Sequence, residues 1–179
     1  YFFPPNLTLV KTKRVDGKIT VIKNKDTVDK LAIIGIKPCD LTGLLVQDKI
    51  FIKGEYVDSY YKKQRDNVFI LVTNCVETAN SCFCVSTKSG PAAEKGFDLA
   101  VTEILNSKNH QFVIEAGTAA GVSILSKIDD VQLASEGVIA DEQKLIENAK
   151  KNMGRTLETK GLRDLLLNNL NHSHWGDVH

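Results

Sequence analysis

The sequence predicts an α/β fold, with a mixed or parallel sheet that carries helices on both faces. Two observations lead to this class. Residues 31–36 and 68–72 are continuous apolar runs, a pattern typical of strands that are buried on both faces. Between and after these runs, apolar residues recur every three or four positions, as they do on one face of a helix. Strands that alternate with helices favour a sheet covered on both sides.

A β-hairpin is predicted at the N-terminal end of the chain. Residues 7–13 and 18–23 are short β-rich runs, and Leu9 is one of their apolar members. Asp16-Gly17 lies between the runs, and this dipeptide favours a two-residue turn because both of its positions need positive φ. We therefore expect two antiparallel strands before the main sheet begins.

The main sheet is predicted to contain four or five strands. The strands that we expect are residues 31–36, 68–72, 98–104 and 111–115. The helices that we expect are residues 40–51, 56–65, 119–128, 141–153 and 157–170. Asp40 is a good N-cap type for the first of these helices. From about residue 141 onwards the chain is predicted to be entirely helical.

Composition and charge narrow the class of protein. The chain of 179 residues is long enough for one domain with its own core. It has 23 Lys and Arg against 22 Asp and Glu, a balance that argues against a protein that binds nucleic acid or a membrane surface. No apolar run approaches the roughly 20 residues of a membrane span. We expect a cytoplasmic protein whose four cysteines are reduced thiols or ligands.

The positions of the four cysteines carry the strongest signal. Cys39 follows the strand at 31–36, and Cys75 follows the strand at 68–72. Both therefore lie just past the carboxyl ends of strands, the edge where ligands bind in an open α/β sheet. Cys82 and Cys84 belong to the loop that begins at Cys75. If the two strands are neighbours, all four thiols can reach one site.

Several kinds of site suit four such thiols. Iron–sulfur clusters and structural zinc share a shell of four cysteines. The spacing of Cys82 and Cys84 matches neither the usual zinc pairs nor the common ferredoxin pattern, so the residues alone leave a metal site and a metal-free site both open. The alternatives are small buried thiols, a disulfide among the three possible pairings, or a reactive thiol at Cys39 beside a helix start.

Several spaced motifs form an ordered series along the chain. They are Phe2-Phe3-Pro4-Pro5, residues 35–41 with Pro38-Cys39-Asp40, Asp48 with Phe51, residues 56–61 with Arg65, Asn74-Cys75, residues 82–86 and residues 96–102. Over nearly the whole chain this series resembles the iron–sulfur protein family that includes the beta subunit of archaeal sulfhydrogenases and an iron–sulfur subunit of anaerobic sulfite reductase. Lys37 is a departure, since the resemblance leads us to expect arginine before Pro-Cys-Asp.

The resemblance implies an electron-transfer role. Members of this family look like adaptors that relay electrons between a flavin-bearing subunit, which oxidises NAD(P)H, and a catalytic subunit, without substrate chemistry of their own. We expect residues 1–130 to form the α/β domain with the cysteine site. Residues 131–179 are then a helical segment that leads to a ferredoxin-type domain, which this piece of a longer protein lacks.

The resemblance also implies a cofactor, a [4Fe–4S] cluster that an aerobic preparation can lose. Its ligands would be Cys39, Cys75, Cys82 and Cys84, with their sulfurs within about 8 Å of a common point. Lys37 would offset the negative charge of the cluster, and Phe83 would shield it from water. The alternative is a non-redox scaffold, or a zinc-stabilised domain, that docks partner subunits.

Overall fold

The computed structural model describes residues 2–178 except residues 5, 9, 23–27, 108 and 109. It confirms the predicted α/β class, with an N-terminal hairpin, a mixed sheet of four strands and a helical C-terminal part. Leu9 and Lys23, which we predicted to belong to the hairpin, lie outside the described residues. None of the described helices is long and apolar enough to span a membrane.

The elements follow the predicted order. The strands are β1 Lys11–Val15, β2 Lys18–Ile22, β3 Leu31–Ile36, β4 Val68–Thr73, β5 Leu99–Leu105 and β6 His110–Ala116. The α-helices are α1 Pro38–Phe51, α2 Ser59–Asp66, α3 Ala119–Leu125, α4 Glu136–Lys151 and α5 Leu162–Asn168. A short 3₁₀ helix spans Ser173–Val178. β1 and β2 form the antiparallel hairpin, and the positive φ angles of Asp16 and Gly17 make its turn.

The main sheet has the strand order β3-β4-β5-β6. The first three strands are parallel, and β6 runs antiparallel to β5 at the edge. Ile36 at the end of β3 pairs with Val72 at the end of β4. The register shifts around Gly35, whose φ of +82° is costly for any residue with a side chain. The carboxyl ends of β3 and β4 therefore meet at one edge of the sheet.

Helices cover both faces of the sheet, as predicted. Leu41 and Leu44 of α1 pack with Ile70, Val72 and Ala100 in a buried apolar cluster. Leu99, which precedes Ala100 in β5, points to the opposite face, because neighbouring residues of a strand alternate. There its side chain lies against α3 at Gly121.

Polar residues of the ordered motif series hold α1 and α2 together. Tyr61 is fully buried, and its hydroxyl donates a hydrogen bond of 2.8 Å to Asp48 of α1. The Nε of Arg65 lies 3.1 Å from the same carboxylate. Asp58 caps α2, because its carboxylate accepts a hydrogen bond from the backbone N–H of Tyr61. These motif residues therefore have structural roles in the fold.

The ends of all five helices differ from the prediction. α2 begins at Ser59 and not at residue 56, and α3 ends at Leu125 and not at residue 128. α1 begins at Pro38 with Lys37 as its N-cap, so Asp40 lies in the first turn and does not cap it; proline suits the first helical position. α4 begins at Glu136, five residues early, because Ser135 caps it through the N–H of Val138. α5 covers only Leu162–Asn168 of the predicted 157–170. Residues 152–161 between α4 and α5 are not helical, so the prediction of an entirely helical chain from residue 141 is wrong there.

Candidate metal centre

All four cysteines line one cavity of about 1020 Å³ at the carboxyl edge of the sheet. Cys39 lies in the first turn of α1, three residues after β3, and Cys75 lies two residues after β4. The pairing of β3 with β4 brings these two positions together. Cys82 and Cys84 reach the same cavity from the loop that follows Cys75. The structure thus brings together the four thiols that the sequence singled out.

Buried hydrogen bonds fix the start of this loop. The side chain of Asn74 is buried; its Oδ1 accepts a hydrogen bond from the N–H of Ala93, and its Nδ2 donates one to Thr102 of β5. The N–H of Cys75 donates to the carbonyl of Pro91 at 2.9 Å. The peptide that carries Cys75 is therefore tied both to the sheet and to the segment around residue 91.

Tight turns hold the second half of the loop. The N–H of Cys82 donates to the carbonyl of Ala79 at 3.0 Å. The carbonyl of Cys84 accepts hydrogen bonds from the N–H of Ser89 at 2.9 Å and from the hydroxyl of Thr87 at 3.2 Å. These contacts set where the Cys82 and Cys84 thiols enter the cavity.

The segment after α4 forms a strap across the outside of the loop, which we define as residues 152–157. The carbonyl of Asn152 accepts a hydrogen bond from the hydroxyl of Thr78 at 2.8 Å. The N–H of Arg155 donates to the carbonyl of Cys82 at 2.8 Å. At its far end, the N–H of Leu157 donates to the hydroxyl of Ser86 at 3.0 Å. Sequence reasoning missed this strap, because its contacts join residues more than 70 positions apart.

Gly154→Ala is expected to loosen the loop, because a Cβ at Gly154 would lie 2.5 Å from the backbone of Ala79 and Asn80. The carbonyl of Ala79 already accepts the hydrogen bond from the N–H of Cys82, so a shift there would disturb the turn that carries Cys82. We expect iodoacetamide to alkylate Cys82 several-fold faster in the variant, as followed by mass spectrometry. Gly176→Ala is the matched control, since a Cβ there meets nothing within 4 Å. Equal alkylation rates in both variants would show that the strap does not hold the loop.

The electrostatics of the thiols reflect their closeness. Burial raises the pKa of the Cys75 thiol, the Lys37 cation opposes this, and negative charge on Cys39 or Cys82 raises it further. Burial is also the first cause of the raised pKa of Cys84, followed by the charges of the other three cysteines. Four thiolates would therefore repel one another here, and a bound cation or metal cluster would relieve that repulsion.

Lys37 and Phe83, the two other predicted site residues, also line the cavity. Lys37 is exposed and immediately precedes the helix that carries Cys39. Phe83 is 44% exposed, so it covers only part of the site. Leu145 and Asn148 of α4 complete one wall, which sequence reasoning did not assign to the site. The only signal for this wall was the apolar face of the helix.

A single metal ion and an iron–sulfur cluster make different geometric demands on four thiols. Among the described residues, no three His, Cys, Asp or Glu side chains form a group that could hold one metal ion. A zinc ion needs its sulfurs about 2.3 Å from a single centre. The thiolates of a cluster bind separate iron atoms, so they surround a larger centre. The expectation that all four sulfurs lie within about 8 Å of one point stays a prediction.

Comparison with known proteins identifies one protein that is similar in sequence to this chain. The chain is 26% identical over 168 residues to the Sulfhydrogenase 2 subunit beta of Pyrococcus furiosus, an alignment that covers 91% of this chain and 48% of that protein. The chain thus spans about half the length of the curated relative that it matches. No protein-family model matches the chain, and no solved structure matches it either. The alignment confirms the resemblance predicted from the ordered motifs: the chain is similar to the beta subunit of a sulfhydrogenase.

Proposed function

We propose that this chain is the electron-transfer module of an iron–sulfur oxidoreductase subunit, and that its cysteines hold a [4Fe–4S] cluster. One observation carries the proposal: all four cysteines of the chain line a single cavity, although they come from two strand ends and one loop. Packing alone gives no reason for this, since a buried thiol serves as a small apolar group wherever it lies. The homology to a sulfhydrogenase subunit supports the same assignment.

The ligands would be Cys39, Cys75, Cys82 and Cys84. When bound, a [4Fe–4S] cluster takes up and releases single electrons. The residues around the cavity supply its environment, and this sets the reduction potential. Lys37 offsets negative charge, and its cation already opposes the rise that burial causes in the pKa of Cys75. The N-terminus of α1, which no side chain caps, adds partial positive charge beside Cys39. Phe83 and Leu145 exclude water from part of the wall.

The partner subunits that we propose are inferred from the name of the similar Pyrococcus furiosus protein. That protein is named as one subunit of a sulfhydrogenase. By extension, we propose that this chain works with other subunits in the cytoplasm, and relays electrons between a flavin-bearing subunit that oxidises NAD(P)H and a catalytic subunit. The chain itself would carry no substrate chemistry. The split into an α/β domain of residues 1–130 and a helical segment of residues 131–179 stays part of this proposal.

Anaerobic reconstitution of the chain with ferrous iron and sulfide tests the cluster. We expect about four iron and four sulfide per chain, a brown colour, and an electron paramagnetic resonance signal that appears on reduction. Exposure to air should bleach the colour, since accessible thiolate sites are prone to oxidation. Uptake of one zinc per chain, with less than one iron under reducing conditions, would instead identify a zinc-stabilised docking domain.

A further inference from the structure

A second groove, of about 660 Å³, lies beside the cysteine cavity. Leu41 and Leu45 of α1 contribute to its apolar floor, and residues 88–90 and 92–95 form its far side. Ser89 lines both this groove and the cysteine cavity. The two spaces are therefore neighbours that share a wall.

The rim of this groove is positively charged. Its lining includes Lys49, Lys88, Lys95 and Lys150, with Glu94 as its one acidic residue, and we call it the lysine groove. Lys150 is held by Glu147 at 2.6 Å. The other three lysines are exposed and form no ion pair within the described part of the chain. Because the whole chain carries a net charge of only +1, this is a local concentration of charge.

Gly90 lines the lysine groove and lies against Cys84, which lines the cysteine cavity. A Cβ placed on Gly90 would lie 3.0 Å from the Sγ of Cys84 and 3.5 Å from the Cβ of Pro38. The backbone of Gly90 thus lies against the thiol with no side chain between them. Since electron transfer slows steeply with distance, a protein seated in the groove would exchange electrons with a group on Cys84 over a short path.

We propose that the lysine groove docks a partner electron-carrier protein through an acidic surface of that partner. Charge complementarity favours this partner. The exposed lysines at the rim can pair with carboxylates on the surface of the carrier, and these carboxylates can enter the groove beside its apolar floor. The electron-carrier part of the proposal rests on the proposed function. If the cysteines hold a cluster, the carrier would lose one electron and the cluster would gain it, with no bond or proton moved.

A charge-reversal experiment tests the docking. The triple variant Lys49→Glu, Lys88→Glu, Lys95→Glu is titrated with an oxidised acidic [2Fe–2S] ferredoxin in a calorimeter, at low and at high salt. The matched control is Lys11→Glu, Lys13→Glu, Lys18→Glu on the exposed hairpin, which changes the net charge equally. We expect the groove variant to bind at least tenfold more weakly at low salt and the control to stay within twofold. High salt should remove the difference.

The outcomes separate this proposal from the proposed function, because binding of the ferredoxin needs no cluster in this chain. Circular dichroism checks that both variants fold. If both variants bind the ferredoxin equally weakly, the effect comes from net charge, and the proposal that the groove is the docking site is wrong. Absence of binding to the unaltered chain at low salt would overturn it as well. If the unaltered chain dimerises in sedimentation and the groove variant does not, a second copy fills the groove and the proposal is wrong.

Discussion

Cys39→Ser is expected to abolish cluster uptake while the fold stays intact. Cys39 is exposed in the first turn of α1, so a serine there removes no core contact. A serine oxygen is a poor substitute for thiolate as a ligand of iron in a cluster. In anaerobic reconstitution we expect bound iron to fall from about four per chain to less than one, with loss of the visible absorption. Iron analysis and visible spectra make the measurement.

Cys39 is the most informative of the four positions. A stretch of 35 residues separates it from Cys75, and only the pairing of β3 with β4 brings the two together. Ser81→Ala is the matched control, because Ser81 lines the same cavity and offers no thiol. The control should retain full iron content. Full retention in Cys39→Ser would remove Cys39 from the ligand set, and with it the four-cysteine site.

Gly121→Ala is expected to lower the free energy of unfolding by about 3 kcal/mol or more, at the upper end for an overpacked site. Gly121 is buried in α3, and a Cβ there would lie 2.0 Å from the carbonyl oxygen of Asp98. That backbone cannot move aside. The N–H of Asp98 donates to Ile70, its side chain accepts from the N–H of Ile70 at 2.7 Å, and its carbonyl accepts from Gly117.

A second helical glycine gives a control for which we expect the free energy of unfolding to rise and not to fall. Gly43 lies within α1, where a Cβ would meet nothing within 4 Å. Gly43→Ala should therefore stabilise the chain by up to about 1 kcal/mol, because alanine is the better helix former. Urea denaturation followed by circular dichroism measures both variants. Equal midpoints for the two would contradict the close packing of α3 on the sheet.

Local chemistry in the sequence was enough to predict most elements. The apolar runs predicted both β3 and β4 as strands buried on both faces. This holds for the central strand β4, but β3 lies at the edge of the sheet, where Ile34 is 74% exposed. Asp16-Gly17 predicted the hairpin, because few other residues adopt its turn at low cost. The cap at Ser135 was missed, and α4 therefore begins earlier than the apolar periodicity indicated.

What the sequence by itself determined is which residues carry the chemistry: four thiols placed just after strands or in the loop beyond them. Only the tertiary structure decided that these thiols share a cavity, because this depends on β3 lying next to β4. It also decided the strap and the lysine groove, whose members lie tens of residues apart along the chain. Spacing along a chain reports local geometry, whereas such contacts arise only when burial of the apolar core brings distant segments together.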